Sequence, residues 1–213
     1  MRVKGVYEGG MVCAVILAGG ENRRMSVNKA FLKVGGISII EREIKALSSV
    51  FDEMLIVANE PGLFDGLGAR VVPDADKFRH VRGPLTGVYS GLAASGRDYC
   101  FVAGCDMPFI EPALAAFLAG LRRGHDLVIP RVGPHAEPLF GVYGATALGA
   151  MEATLTKGGG RLQDIFRGLD TRYAGEEEMR LFDPSLASFM NVNTPSDLAR
   201  AEEMEEKRCL VAE

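Results

Sequence analysis

Apolar runs of strand length alternate along this chain with stretches of helical periodicity, and that alternation restricts the fold more than any other feature. VCAVIL (12–17), MLIVA (54–58), RVVP (70–73), YCFVAG (99–104) and DLVIP (126–130) read as strands. Each run is continuous in its apolar character, the pattern of parallel strands covered on both faces. Between them Ile37, Ile40, Ile44 and Leu47 recur on one helical face, as do Leu85, Val88, Tyr89 and Leu92, and then Leu114, Phe117, Leu118 and Leu121. This order predicts an α/β fold, a single-domain Rossmann-like three-layer sandwich around a mostly parallel central sheet. The later third is less regular. EPLFGVYG (137–144) reads as a strand, helices are expected from Ala145 and from Arg161, and Thr194-Pro195 in TPSDLARAEEMEEK marks a last helix start. The acidic run EEMEEK reads as a solvated face with Glu203 paired to Lys207.

The 213 residues suit one such domain, placed over 12–207 and preceded by a weakly patterned extension over 1–11. With 24 Lys plus Arg against 28 Asp plus Glu, the net charge of -4 offers no general field for a nucleic acid or an acidic membrane, so any anion site must be local. The apolar stretch from Val12 is too short to span a bilayer and has no signal-peptide layout, which makes the cytoplasm the expected compartment. Cys13, Cys100, Cys105 and Cys209 form no CxxC pair and have no histidine at metal spacing; reduced, mostly buried thiols are expected.

An open parallel sheet binds its ligands beyond the carboxyl ends of its strands. The residues found there are the LAGGENRRMSVNK loop (17–29), Asn59, Asp74, and Asp106 with Met107-Pro108. Gly19 and Gly20 allow close approach of backbone N–H groups to an anion, and Arg23, Arg24 and Lys29 add positive charge, so a polyphosphate suits the loop. Neither GxxxxGK[ST] nor GxGxxG followed by an acidic residue is present, which removes the P-loop and the dinucleotide-binding readings. Taken alone, the same glycines also read as a plain strand-to-helix turn beside solvated cations.

LAGG followed by RM and a lysine, GPLTG (83–87), CDMPF (105–109), EPLFGVY (137–143) and NVNTPSDL (191–198) occur in order from about Val12 to about Ala201. Together they resemble the molybdenum cofactor guanylyltransferases, within the glycine-rich nucleotidyltransferases whose fold is that of the nucleotide-diphospho-sugar transferases. The resemblance implies transfer of GMP from GTP to the phosphate of molybdopterin, with pyrophosphate released and Mg²⁺ as cofactor. It further implies handover of the product to molybdenum-insertion proteins or apo-molybdoenzymes. The attacking phosphate is already anionic at neutral pH, so positioning and charge neutralisation must carry the catalysis rather than a general base.

By the same resemblance Lys29, Arg24 and Asp106 are the catalytic residues, Asp106 being the metal ligand. Leu17, Ala18, Gly19, Gly20, Asn59, Asp74, Gly83 and Pro84 join Lys29 and Asp106 in binding the nucleotide. Arg161, Asn191 and Asn193 face the acceptor. A nucleotide half over 12–110 and an acceptor half over 111–207 follow. LAGG in place of the LAAG of similar cytidylyltransferases, with GPLTG, favours guanine. Simpler roles compete at several positions: Asp106 as a helix cap or turn residue, turn chemistry at Asn59 and Asp74, a glycine-tolerant helix over 83–91, a flexible KGGGR loop, and capping at Thr194. Ser26, Asn28 and Glu137 depart from the family pattern, which commonly has glycine, aspartate, and glutamine or histidine there. Asn28 puts in doubt any role of that aspartate in orienting the lysine. CTP with molybdopterin, or a nucleotide with a sugar phosphate, is the alternative chemistry, and a non-catalytic nucleotide-binding regulator is the alternative class.

Overall fold

The structure of the protein, a computed structural model, describes residues 12–19 and 28–212. In chain order its strands are β1 (Val12–Leu17), β2 (Lys33–Val34), β3 (Ile37–Ser38), β4 (Glu53–Val57), β5 (Arg70–Val72), β6 (Tyr99–Gly104), β7 (Leu127–Val132), β8 (His135–Ala136), β9 (Phe140–Gly144) and β10 (Thr171–Ala174). The helices are α1 (Ile39–Ser48), α2 (Pro84–Ser95), α3 (Pro112–Gly120), α4 (Leu148–Thr156), α5 (Glu176–Met179) and α6 (Pro195–Ala212).

The central sheet runs β10-β7-β9-β6-β1-β4-β5, with β8 paired to β7. β1, β4, β5 and β6 are mutually parallel, whereas β9 is antiparallel to both β6 and β7. Every residue of β1 is buried, as its unbroken apolar run requires. Alternate residues of β1 enter opposite layers. Val12, Ala14 and Ile16 pack with Ile40, Leu47, Leu114 and Leu118 of α1 and α3. Cys13, Val15 and Leu17 pack with Leu85, Val88, Leu92, Met151 and Leu155 of α2 and α4. The three-layer sandwich expected from the sequence is therefore what the chain forms. Among the described residues no helix is long and apolar enough to cross a membrane.

Four expectations need correction. Ile37 is not on the α1 face: it lies in β3 and is 42% exposed. Gly35 and Gly36 adopt positive φ and turn a short hairpin there, so the helix starts only after Ser38, which forms a capping box with Glu41. The strand expected over 137–144 begins at Phe140. After Arg161 the chain makes one 3-10 turn, Leu162–Ile165, rather than a helix. Finally, the acidic run of α6 is not simply solvated. Glu205 pairs with Arg42 of α1 at 2.7 Å and Glu202 accepts the Gly35 N–H at 3.0 Å, tying α6 to the hairpin and to α1. Cys13 and Cys100 are buried, Cys105 is half-buried and Cys209 is exposed, and all four are free thiols.

Candidate active site

β1 is flanked by β4 on one side and β6 on the other, so the chain reverses its order across the sheet between β1 and β6. A crevice opens at such a switch point beyond the strand ends. Ala18-Gly19 and Cys105-Asp106 lie there, linked by the Cys105 N–H donating to the Leu17 carbonyl at 3.2 Å.

Asp106 is half-buried, and its turn comes directly off β6. Gly104 leaves room for it: a side chain begun there would place Cβ 3.1 Å from Asp106 Oδ1. Burial holds the Asp106 carboxyl above its ordinary range, and the neighbouring Lys29 charge pulls it partly back. The capping role weighed for Asp106 belongs elsewhere, since Glu111 caps α3 by accepting the Ala113 N–H at 3.3 Å.

Lys29 opens a 3-10 turn, Lys29–Phe31, that Asn28 caps by accepting the Ala30 N–H at 3.2 Å. An amide performs this task as a carboxylate would, so the departure at Asn28 leaves the lysine's turn intact. Lys29 Nζ donates to Asn193 Oδ1 at 2.6 Å, a link across 164 positions that joins the two ends of the chain at one point. Thr194 takes the capping role: its hydroxyl accepts the Asp197 N–H at 3.2 Å, while Asp197 accepts the N–H groups of Asn193 and Thr194. The side chain of Asn193 is thereby left to Lys29. Asn191 donates to the Phe189 carbonyl at 3.3 Å.

Asn59 and Asp74 follow the adjacent strands β4 and β5 and bond to each other. Asn59 Nδ2 donates to Asp74 Oδ2 at 2.7 Å, and Asp74 N–H donates to Asn59 Oδ1 at 3.1 Å. Both bonds join the two loops across 15 positions, so the pair is a tertiary contact and not chemistry local to either turn.

α2 runs with its N-terminus toward the crevice. A Cβ at Gly91 would meet Val15 Cγ1 at 2.5 Å and one at Gly87 would meet Leu17 Cδ2 at 3.3 Å, so these glycines let the helix lie close on β1. One turn further, Gly83 and Pro84 reach past the strand ends at the positive end of the helix. Gly83 has φ 129, and a Cβ there would come within 2.3 Å of the Gly160 carbonyl, which accepts the Leu85 N–H at 3.2 Å. The KGGGR loop is thus docked on α2 through Gly160, and Arg161, the next residue, is exposed. Leu17 is a core side chain, and its place at the site is through its backbone. A Cβ at Gly19 would meet nothing closer than 3.6 Å, so packing among the described residues does not demand glycine there. Gly20, Arg23, Arg24 and Ser26 lie outside the described residues.

One residue that the motifs did not point to stands behind the site. Glu43 of α1 is fully buried, with Oε1 accepting the Met107 N–H at 3.0 Å and Oε2 without a hydrogen-bond partner among the described residues. Burial pushes its carboxyl well above the usual range; the Met107 N–H opposes this and the Asp106 charge adds to it. The signal was present in the sequence, because position 43 is three after Ile40 and four before Leu47, on the apolar face.

Residues 14–173 match the model of the MobA-like NTP transferase domain. The chain belongs to that family. A curated relative from Pelotomaculum thermopropionicum, named probable molybdenum cofactor guanylyltransferase, is 40% identical over 194 residues, covering 90% of this chain and 92% of the relative. The molybdenum cofactor guanylyltransferase of Desulfosudis oleivorans is 38% identical, covering 90% and 94%. The solved structure of molybdopterin-guanine dinucleotide biosynthesis protein A from Archaeoglobus fulgidus superposes with a TM-score of 0.80 at 30% identity, covering 92% of this chain and all of that one. The chain is a nucleotidyltransferase of this family.

Proposed function

We propose that the protein transfers GMP from GTP to the phosphate of molybdopterin. A phosphate oxygen of the acceptor forms a bond to the α-phosphorus of GTP as the bond to the bridging oxygen breaks, and pyrophosphate leaves. The observation that carries this reading is the meeting of Lys29, Asp106 and Asn193 at the switch point, with Lys29 bonded directly to Asn193. A cation for the triphosphate, a carboxylate for a metal and a polar group from the acceptor-binding half stand together.

The donor set suits Mg²⁺. Among the described residues no three His, Cys, Asp or Glu side chains could hold a metal, so no protein cage is preformed. The desolvated Asp106 carboxylate beside the Lys29 charge matches an ion that takes one or two carboxylates, phosphate oxygens and water. Mg²⁺ bound there would neutralise charge on the phosphates and the leaving pyrophosphate. Lys29 and Arg24 hold the triphosphate. Gly19 and Gly20 bring the loop backbone close to it, and the α2 N-terminus at Gly83-Pro84 faces an anion favourably. Asn59 and Asp74, already paired, present one polar edge to the guanine or ribose. Arg161, Asn191 and Asn193 take the acceptor, in a half that runs over about 111–207, the nucleotide half being about 12–110. The cytoplasm, where molybdenum-insertion proteins or apo-molybdoenzymes would receive the product, is the proposed compartment.

The test is pyrophosphate release with GTP, CTP, ATP or UTP and Mg²⁺, with and without molybdopterin. Release should require GTP and molybdopterin together. Release with CTP instead would overturn the base assignment, and no release with molybdopterin under any nucleotide would overturn the acceptor and turn the search to sugar phosphates.

A further inference from the structure

The peptide joining Asp106 to Met107 is gripped at both of its polar ends. Its carbonyl accepts the Val192 N–H at 2.8 Å, and its N–H donates to Glu43 Oε1 at 3.0 Å. The 108–109 peptide, two further along, is held from the same helix, since Arg42 Nε donates to the Pro108 carbonyl at 3.1 Å. Arg42 is in turn braced by Glu205 of α6 and by the Val34 carbonyl. Two consecutive residues of α1 therefore fix the turn that carries Asp106, while the NVN segment fixes it from the opposite side.

Fixing that peptide plane sets ψ of Asp106 and so limits where its side chain can point. A buried acid is an unusual choice for this task if the aim is stability alone, because among the described residues its second oxygen has no hydrogen-bond partner to offset its desolvation. An apolar residue would suit the rest of the α1 face, where Ile40 and Leu47 are fully buried. What an apolar side chain cannot do is accept the Met107 N–H.

We propose that Glu43 is a positioning residue for the metal-binding carboxylate: its hydrogen bond to the Met107 N–H, opposed by Val192 on the Asp106 carbonyl, locks the 106–107 peptide and thereby aims Asp106. Glu43 touches neither substrate nor metal. The inference rests on the reading of Asp106 as the metal ligand. Removing an outer partner of a ligand typically lowers metal affinity or activity 10–100-fold.

The test measures GTP affinity by calorimetry in Mn²⁺ and in EDTA, without acceptor. The ratio of the two affinities reports how strongly the protein holds the metal through its ligand, whatever the turnover. Glu43→Leu should lower that ratio about 10-fold while leaving the EDTA affinity near that of the native protein. Glu43→Asp keeps a buried carboxyl but falls one methylene short, and should lower the ratio similarly; it serves if the leucine variant does not fold. Glu43→Gln retains an acceptor oxygen and should keep most of the ratio. An unchanged ratio in folded Glu43→Leu or Glu43→Asp overturns the proposal, as does a loss in Glu43→Gln equal to that in Glu43→Leu, which would make charge rather than the hydrogen bond the agent. Asp106→Ala separates the two layers. If it leaves the ratio untouched, the metal-ligand reading itself fails; if it collapses the ratio and the Glu43 variants do not, only the positioning role fails.

Discussion

Two polar clusters lie at the same end of the same sheet and are held in opposite ways. Asn59 is exposed, and with Asp74 it forms a closed pair that satisfies itself through two mutual hydrogen bonds at the β4 and β5 edge. Asp106, off the central strand β6, is half-buried and held through its backbone by Val192 and by buried Glu43. At the edge, solvent lowers the cost of polar groups, and nothing deeper is required to keep them. At the centre the surrounding core desolvates the carboxylates, raises their proton affinity and supplies rigid walls. The contrast teaches that the edge pair suits recognition, where small adjustments are tolerated, and the central turn suits charge placement, where they are not.

The strongest way to break this comparison is Asp106→Ala. Turnover should fall about 1,000-fold, the scale seen when one preorganised electrostatic group is removed, while the thermal midpoint stays within a few degrees because the lost carboxyl was itself disfavoured by burial. A large drop in midpoint with modest loss of rate would reverse the assignment of the two regions. Asn59→Ala tests the edge. It should raise the KM for GTP about 10-fold, as expected for one hydrogen-bonded contact of about 1.4 kcal/mol, and change stability by no more than about 0.5 kcal/mol. An unchanged KM would leave the pair as a structural contact between two loops.

The smallest effect sharpens the contrast through pH. Glu43 has a folded carboxyl raised well above its unfolded value, so between the two values the folded state binds more protons. Its stabilising contribution is complete below the unfolded value and is lost as pH rises through the folded one. Chemical denaturation of the native protein across that window should show stability declining with pH, and Glu43→Gln should flatten the decline. An unaltered slope in the variant would assign the titration to other groups, Asp106 and Glu137 being the other carboxyls among the described residues that burial raises.

Much of this was legible in the chain. The unbroken apolar run of β1 and the regular spacing of Leu85, Val88, Tyr89 and Leu92 placed a strand and a helix where they are. Reading the residue after each strand brought Gly19, Asn59, Asp74 and Asp106 to one end of the sheet. The misreadings have local causes. Ile37 fits the helical period of Ile40 and Ile44, but Gly35-Gly36 diverts it into a hairpin. In GPLTGVYSG, by contrast, the glycine-tolerant helix weighed for 83–91 is present at Gly87 and Gly91, which answer to Leu17 and Val15 because α2 must lie close on β1.

Sequence by itself determined the alternation of the main strands and helices, the two-sided burial of the sheet and the family to which the chain belongs, since hydrophobic period and short motifs are properties of neighbouring residues. Only the tertiary structure decided that Asn193 meets Lys29 across 164 positions, that the KGGGR loop docks on Gly83, and that Glu43 lies beneath Asp106. Those pairings depend on how layers close over one another, and the local pattern of residues carries no record of which distant partner a buried polar atom will find.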